Sequence, residues 1–410
     1  MAFGFSKTRF SPIAIDFGAD SVKLLQIIPG SPPQLQAAAA AVIPEEARVD
    51  AAARQSFLAE TLKTLLHQQP FKGRRAILSI PAFQTLVQHL EIPRGEQEEF
   101  EAQVAAQLRE RLNVDPSRLV VRHFPVGQVV RDGSTLQQVV CFAASRDAVM
   151  RYLELARRCK LDVVGMESEP MAILQAFSHL YRRAEDQARV TCFVDIGAAT
   201  TKVVIAQGAK IVFAKTIHAA GDHFTRQIAS AQQMGFTEAR EFRMTHAAQP
   251  QAGEATLASG GGTTTDTRSN AGTGLAVLDA QVDVQPTPRA TAVPTTHAPA
   301  GHGDHRAPHG ESADALDCLI DELQLCLRYY RSLFADRTIE KLVFLGGEAR
   351  NVKTCHSIAR AVRIAAQLGD PFARLSRLGL NHKVSGIDME QPQPGWAVPM
   401  GLCLSEDQAT

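Results

Sequence analysis

The sequence predicts an α/β protein made of two similar domains facing a cleft, with a small α+β subdomain inserted in the first and a low-complexity insert in the second. Three observations predict it. A strand–Asp-x-Gly–strand segment occurs twice, with its polar residues at identical offsets. Apolar runs alternate with helix-spaced stretches around each copy. Composition collapses once, between Ala247 and Ser312.

The first domain opens on "PIAIDFGADSVKLLQI" (Pro12–Ile27). An apolar run stops at Asp16, turns through Gly18 and resumes with Lys23 inside it. A third strand is expected near Leu35–Ile43. A helix follows over Ala51–Gln68, with Phe57, Leu58, Leu62, Leu65 and Leu66 at helical spacing. "RRAILSIP" (Arg74–Pro81) reads as a buried strand ended by proline. A βαββα rhythm comes next. "TLVQHLEIP" is a strand, and Gly95–Leu112 a helix with Phe100, Val104 and Leu108 on one side. "SRLVVRHFPVGQVV" and "LQQVVCFAAS" are strands, and "RDAVMRYLELARRCK" a helix. The acidic run Glu96–Glu101 complements the dipole at a helix start.

The second domain starts near Val190 with "VTCFVDIGAATTKVVIA" (Val190–Ala206). Aligned on the first copy, Asp195, Gly197 and Lys202 fall where Asp16, Gly18 and Lys23 stand. Three strands end near Ile217, and Ala220–Gly235 reads as a helix opened by Gly221 and Asp222. Ala247–Ser312 holds no aromatic residue and too little apolar surface to order itself, so it is expected to be disordered. Its His297, His302, His305 and His309 match no defined metal-site spacing. A long helix, Ala313–Phe334, restarts the domain. "IEKLVFLGGEARNVKTCHSIARAV" (Ile339–Val362) then gives a strand, Gly346-Gly347 and a helix. The expected division is 1–83 and 161–188 for the first domain and 84–160 for its insert. Residues 189–246 and 313–410 make the second domain, the latter including a C-terminal return, around the 247–312 insert.

Glycine lets backbone N–H groups approach an anion closely. Ser21, Thr200 and Thr201 can donate to phosphate oxygens. Asp16 and Asp195, each at a strand end, can hold a hydrated Mg²⁺, which takes carboxylates together with water and phosphate oxygens. Lys23 and Lys202 read equally as phosphate ligands or as solvent-facing strand lysines. A helix opening at Gly221 and Asp222 offers its N-terminus to a phosphate. Gly346 and Gly347 permit close approach to a flat ring or sugar. No Walker loop occurs in the chain.

The order DFG, DIG, GG resembles the phosphate-1, phosphate-2 and adenosine motifs of the actin-like ATPase superfamily, whose domains are ribonuclease-H-like. Within it the chain is similar to the type IV pilus assembly PilM family, related to FtsA. "IAIDFGADSVKLLQI", "LDVVGMESEPMAILQAF", "VDIGAATTKVVI" and the closing "WAVPMGLCL" carry that likeness. The resemblance implies ATP and Mg²⁺ in the cleft, held by the residues above, with Glu322 of the long helix as a further nucleotide contact. Leu325 stands where relatives carry an arginine, and Ala198 where chaperone relatives use glycine. Glu169, in "ESEP", is the implied water-positioning catalytic residue. The same stretch also reads as ordinary helix-start chemistry. Hydrolysis would be slow at most.

The implied role is a cytoplasmic scaffold of type IV pilus or related type II secretion assembly, at the inner face of the bacterial inner membrane. Its partner would be the cytoplasmic N-terminal tail of a PilN-like membrane protein, docked at the insert or its seam with the first-domain core. Self-association stays open. An FtsA-like filament former is the alternative, and the polar ending "LCLSEDQAT" lacks the amphipathic helix it needs. A small-molecule kinase would need a compact carboxylate-base motif that is not evident.

Composition agrees with such a role. At 410 residues the chain can bury two cores. Lys+Arg and Asp+Glu both number 43, so no global field favours nucleic acid. Seven scattered cysteines form no CxxC pair and read as reduced thiols. No stretch reaches the ~18–20 apolar residues of a membrane span. The opening "MAFGFSKTRF" lacks a signal-peptide core.

Overall fold

The computed structural model of the chain describes residues 9–247, 275–277, 314–376 and 387–405. Each half is built on a hairpin whose first strand is wholly buried. In the first half these are β1 (Ile13–Phe17) and β2 (Ser21–Ile28), followed by β3 (Gln34–Val42). Two helices come next, α1 (Glu45–Val49) and α2 (Ala51–Gln68), the second capped by the Asp50 side chain, which accepts from Ala53 N. Leu58 and Leu62 of α2 lie on the sheet. The chain re-enters as β4 (Arg75–Ile80), parallel to β1.

The inserted subdomain then leaves the first half. It comprises β5 (Thr85–Pro93), α3 (Gln97–Leu112), β6 (Leu119–Arg131) and β7 (Ser134–Ser145), with strand order β5-β7-β6. Asp132 and Gly133, both at positive φ (49° and 78°), form the tight turn between β6 and β7. The chain returns through α4 (Arg146–Arg158), β8 (Asp162–Ser168) and α5 (Glu169–Phe177).

The second half repeats the plan. β9 (Val190–Ile196), β10 (Thr201–Gln207) and β11 (Lys210–Ile217) precede α6 (Gly221–Gln232) and α7 (Phe236–Ala247). A short β12 (Leu275–Val277) lies within the low-complexity stretch. After α8 (Ala315–Leu333) come β13 (Lys341–Leu345), α9 (Val352–Val362), β14 (Ala366–Gly369) and α10 (Ala397–Leu404). The sheet orders are β3-β2-β1-β4-β8 and β11-β10-β9-β13-β14-β12, the same five-strand topology with β12 added antiparallel on the edge. The two hairpins also share one register. Asp16 faces Lys23 and Phe17 faces Val22, as Asp195 faces Lys202 and Ile196 faces Thr201.

Apart from Ala247, which ends α7, and Leu275–Val277, the expected disorder of 247–312 falls outside the described residues, as do the four histidines. The C-terminal return packs on the first half, where Gly401 of α10 lies against the Ala172 carbonyl of α5 and leaves no room for a Cβ. The cysteines among the described residues are all free.

The inserted subdomain buries both faces of its sheet. Leu90, Ile92, Val139 and Cys141 pack with Val104 and Leu108 of α3. Val126, Val140 and Phe142 join the core that holds Phe213, Leu327, Tyr330 and Phe334 of the second half. The His89 ring stacks on Phe213 at 4.5 Å. Burial pulls its pKa down to about 4, so the ring is neutral and Nε2–H donates to the Ala214 carbonyl at 3.0 Å. Arg337 Nη1 donates to the Val126 carbonyl at 2.9 Å. The expected seam with the first-domain core is made by α4, whose Tyr152, Leu155 and Ala156 pack with Leu58 and Leu62, and the sheet of the insert adds a second seam with the second domain. The physical reason is the aromatic face of α8, which covers apolar side chains the subdomain's own helix cannot reach.

Candidate functional site

Both hairpins deliver an aspartate and a lysine to one side of their strands, and the two sides face each other. Directly opposed antiparallel residues project on the same face. Asp16, Gly18, Ser21, Lys23, Asp195, Gly197, Thr200, Gly346, Gly347 and Glu169 thus line one cavity of about 210 Å³. The lysines are not solvent-facing: Lys202 is buried, and Lys23 Nζ donates to the Gly395 carbonyl at 2.8 Å.

Asp16 sits at the end of a central strand, and Ser79 at the end of β4 fixes it. Ser79 Oγ donates to Asp16 Oδ1 at 3.0 Å and accepts from Phe17 N at 3.1 Å. Burial, then the nearby Glu169 charge, raises the Asp16 pKa to about 6. Across the cleft Lys202 Nζ lies 2.6 Å from Glu169 Oε2 and 3.2 Å from Asp195 Oδ2. Burial works against the Lys202 ammonium, but Asp195, Glu169 and Asp16 together overcome it, so its pKa is raised. Glu169 Oε1 accepts from Ala82 N at 2.9 Å. Both Glu169 oxygens are therefore engaged, and the carboxylate acts here as a counter-ion to Lys202.

Gly346 turns the chain at φ +89°, where a Cβ would lie 2.5 Å from Asp195 Oδ1. The Ile196 carbonyl would lie closer still, at 2.2 Å, so the glycine is required by the end of β9 as well as by its own positive φ. Among the described residues no three His, Cys, Asp or Glu side chains cluster as a metal cage. Two carboxylates at strand ends suit Mg²⁺, which keeps several waters and takes phosphate oxygens.

Four expected residues lie elsewhere. The Thr201 hydroxyl donates to the Ala219 carbonyl at 2.7 Å inside the core. Gly221 lies against the Glu348 carboxylate, and Asp222 pairs with Arg48 in a neighbouring chamber. Glu322 is exposed on α8, whose buried side is Leu319, Leu323, Cys326, Leu327 and Tyr330. Its proposed nucleotide contact is corrected on that ground: the apolar stripe of α8 seals the domain core and turns Glu322 to solvent. Leu325, 54% exposed on the same helix, has no bearing on the cavity.

The helix that does line the cavity is α7, for which the sequence reading had no element. Arg240 pairs with Asp20 across the cleft, Arg243 makes a two-pronged pair with Glu348, and Met244 adds an apolar wall. Their i, i+3, i+4 spacing in "EAREFRMTH" was the available signal. At about 210 Å³ the cavity is smaller than the ~300 Å³ at which small-molecule pockets begin. A nucleotide would fit more readily with the halves parted and Asp20–Arg240 released.

Residues 14–255, more than half of the chain, match the model of a family described as type IV pilus assembly protein PilM. A solved PilM-PilN type IV pilus biogenesis complex is similar, with TM-score 0.66 and 21% identity over 96% of this chain and 98% of that one. That likeness is one of fold. The ethanolamine utilization protein EutJ from Carboxydothermus hydrogenoformans gives TM-score 0.46 at 12% identity, covering 97% of this chain and 89% of that one. MreB5 of Spiroplasma citri bound to ADP gives 0.43 at 12% identity, covering 98% and 97%. No curated protein matches the chain.

Proposed function

The chain belongs to the type IV pilus assembly protein PilM family, and from that premise we propose that it is an actin-like scaffold whose halves are set by Mg-ATP and whose inserted subdomain docks the cytoplasmic tail of a PilN-like membrane protein. The observation that carries the nucleotide part is the shared register of the two hairpins, which brings Asp16, Lys23, Asp195 and Lys202 into one cavity. Asp16 and Asp195 would hold Mg²⁺ through water. The turns at Gly18–Ser21 and Gly197–Thr200 would take phosphate oxygens, with Lys23 and Lys202 as their cations. Gly346 and Gly347 would face the sugar or base. The metal would neutralise phosphate charge between the halves. With Glu169 bound to Lys202 and Ala82, the carboxylate expected to position water is engaged in this arrangement, which supports a binding role with at most slow hydrolysis.

The insert supports docking because it contributes no residue to the cavity and both faces of its sheet are covered. What remains are its edges, β5 and β6, whose outward backbone groups can pair with an extended segment. Among the described residues no helix is long and apolar enough to cross a membrane. A membrane partner would therefore supply the attachment, at the cytoplasmic face.

Hydrogen exchange of the full chain with and without a synthetic partner tail, each with and without Mg-ATP, tests this. Protection should appear in the insert on tail binding and change with nucleotide. Protection confined to the second half, or phosphorylation of a small metabolite, would overturn the docking role.

A further inference from the structure

Behind the two hairpin turns lies a second chamber of about 370 Å³. Ala19, Ala199 and Phe83 line both it and the cleft, so the two cavities meet at the turns. Three guanidinium groups line only the second: Arg48, Arg54 and Arg226. Its two carboxylates are already engaged. Asp222 pairs with Arg48, and Glu45 Oε2 accepts from the Thr237 hydroxyl at 3.0 Å.

Arg54 is the unusual member. It is more than nine-tenths buried, at 8% exposure. Its Nη1 and Nη2 donate to the carbonyls of Ala19 (3.1 Å) and Gly18 (2.7 Å), and its plane lies over Phe83 at 5.4 Å. Its neighbour Tyr152 adds a neutral hydroxyl. Its Nε has no hydrogen-bond partner, and among the described residues no carboxylate pairs with it. The Asp20 charge reaches Arg54 only at a distance and is itself paired with Arg240, so the buried guanidinium has no counter-ion in direct contact among the described residues. Arg48 is held flat over Phe236 at 5.7 Å, and Arg226 is exposed with no ion pair among the described residues. With Arg48 and both Arg54 Nη atoms engaged, the Arg54 Nε–H and the Arg226 guanidinium are the donors left for the oxygens of a tetrahedral anion.

We propose that this arginine-lined chamber is a binding site for a phosphate-class oxyanion, separate from the cleft and joined to it at Ala19 and Ala199. The phosphoryl group could be free inorganic phosphate or the terminal group of a nucleotide reaching between the two turns. The inference stands without the nucleotide reading, because its first test contains no nucleotide.

Calorimetric titration of the full chain with inorganic phosphate, against chloride at matched ionic strength, should show saturable binding. Arg226→Glu, at an exposed position where folding is not at stake, should weaken it about tenfold or more, the worth of one charge-assisted bond. Arg54→Lys, which keeps the charge but loses the unpartnered Nε–H, should weaken it as well. Absence of saturable binding in the wild type, or unchanged affinity in Arg226→Glu, overturns the proposal. Repeating the titration with Mg-ADP and with a non-hydrolysable Mg-ATP analogue separates the sources. Competition by the triphosphate alone identifies its terminal group as the occupant. Competition by neither identifies free phosphate. Competition by both places the anion in the cleft and refutes a separate chamber.

Discussion

Replacing Asp16 by asparagine separates what the cleft costs the fold from what it does for a ligand. In the unfolded chain the Asp16 carboxyl ionises near 3.8, and in the folded protein near 6, because burial and the Glu169 charge disfavour its anion. Between those values the unfolded state binds fewer protons, so stability falls as pH rises. The contribution is whole below about 3.8 and has been lost once pH passes about 6. At 1.36 kcal/mol per pKa unit, the loss at neutral pH is on the order of 3 kcal/mol. The amide of the replacement side chain keeps an oxygen where Asp16 Oδ1 accepts from Ser79 Oγ at 3.0 Å, while the charge is removed. Asp16→Asn should therefore stabilise the ligand-free protein by on the order of 3 kcal/mol at about pH 7.5, and by almost nothing below pH ~4. Urea unfolding of both proteins across that range measures it. Saturation with Mg-ATP at ~100 times its dissociation constant should raise the wild type by ~2.7 kcal/mol and leave the variant unmoved. A variant less stable than wild type at neutral pH, or a difference independent of pH, would refute the reasoning.

Lys202→Met leaves Glu169 and Asp195 buried without their cation and should cost about 3–5 kcal/mol in urea unfolding. Adding Glu169→Gln should recover a large part, and a single-variant loss under ~1 kcal/mol would show that the lysine is not the organising charge. Arg240→Ala removes a cross-cleft pair whose side chains are 23% and 26% exposed, so stability should change by less than ~1 kcal/mol. Nucleotide entry should quicken, and an unchanged stopped-flow association rate with a fluorescent ATP analogue would remove Asp20–Arg240 as the closure.

The hairpins were legible because a strand's side chains alternate, so equal offsets in sequence become equal places on two faces. Asp16, Lys23, Asp195 and Lys202 needed nothing more. The ion pairs were not legible. Arg48 meets Asp222 and Asp20 meets Arg240 only because the two halves approach each other, and no local pattern encodes that approach. Glu322 was misplaced for a related reason. Helical spacing shows which stripe of a helix is apolar, but not which of two helices in one half turns toward the cleft. The insert's strands and helix were read from their periods. The side it leans on depends on residues far along the chain, Tyr330 of α8 and Phe334 and Arg337 just after it, as in Arg337 donating to the Val126 carbonyl.

By connectivity and through α4 the insert belongs to the first half, while its sheet packs on the second. β4 leads into it through the Pro81–Gln84 turn, and its apolar seam on Phe213, Tyr330 and Phe334 is part of one continuous core. Packed cores resist gradual shear, so an opening of the cleft would be expected to strain the connecting turn before the seam. That turn is not isolated from the cleft. Ala82 N donates to Glu169 Oε1, and Glu169 Oε2 holds Lys202 of the second hairpin. A polyphosphate drawing on the Lys202 charge would compete with Glu169 for it, and Glu169 is the group that fixes the first residue of the turn. The carboxylate that looked like a water activator in the sequence thus stands where cleft occupancy and insert position meet.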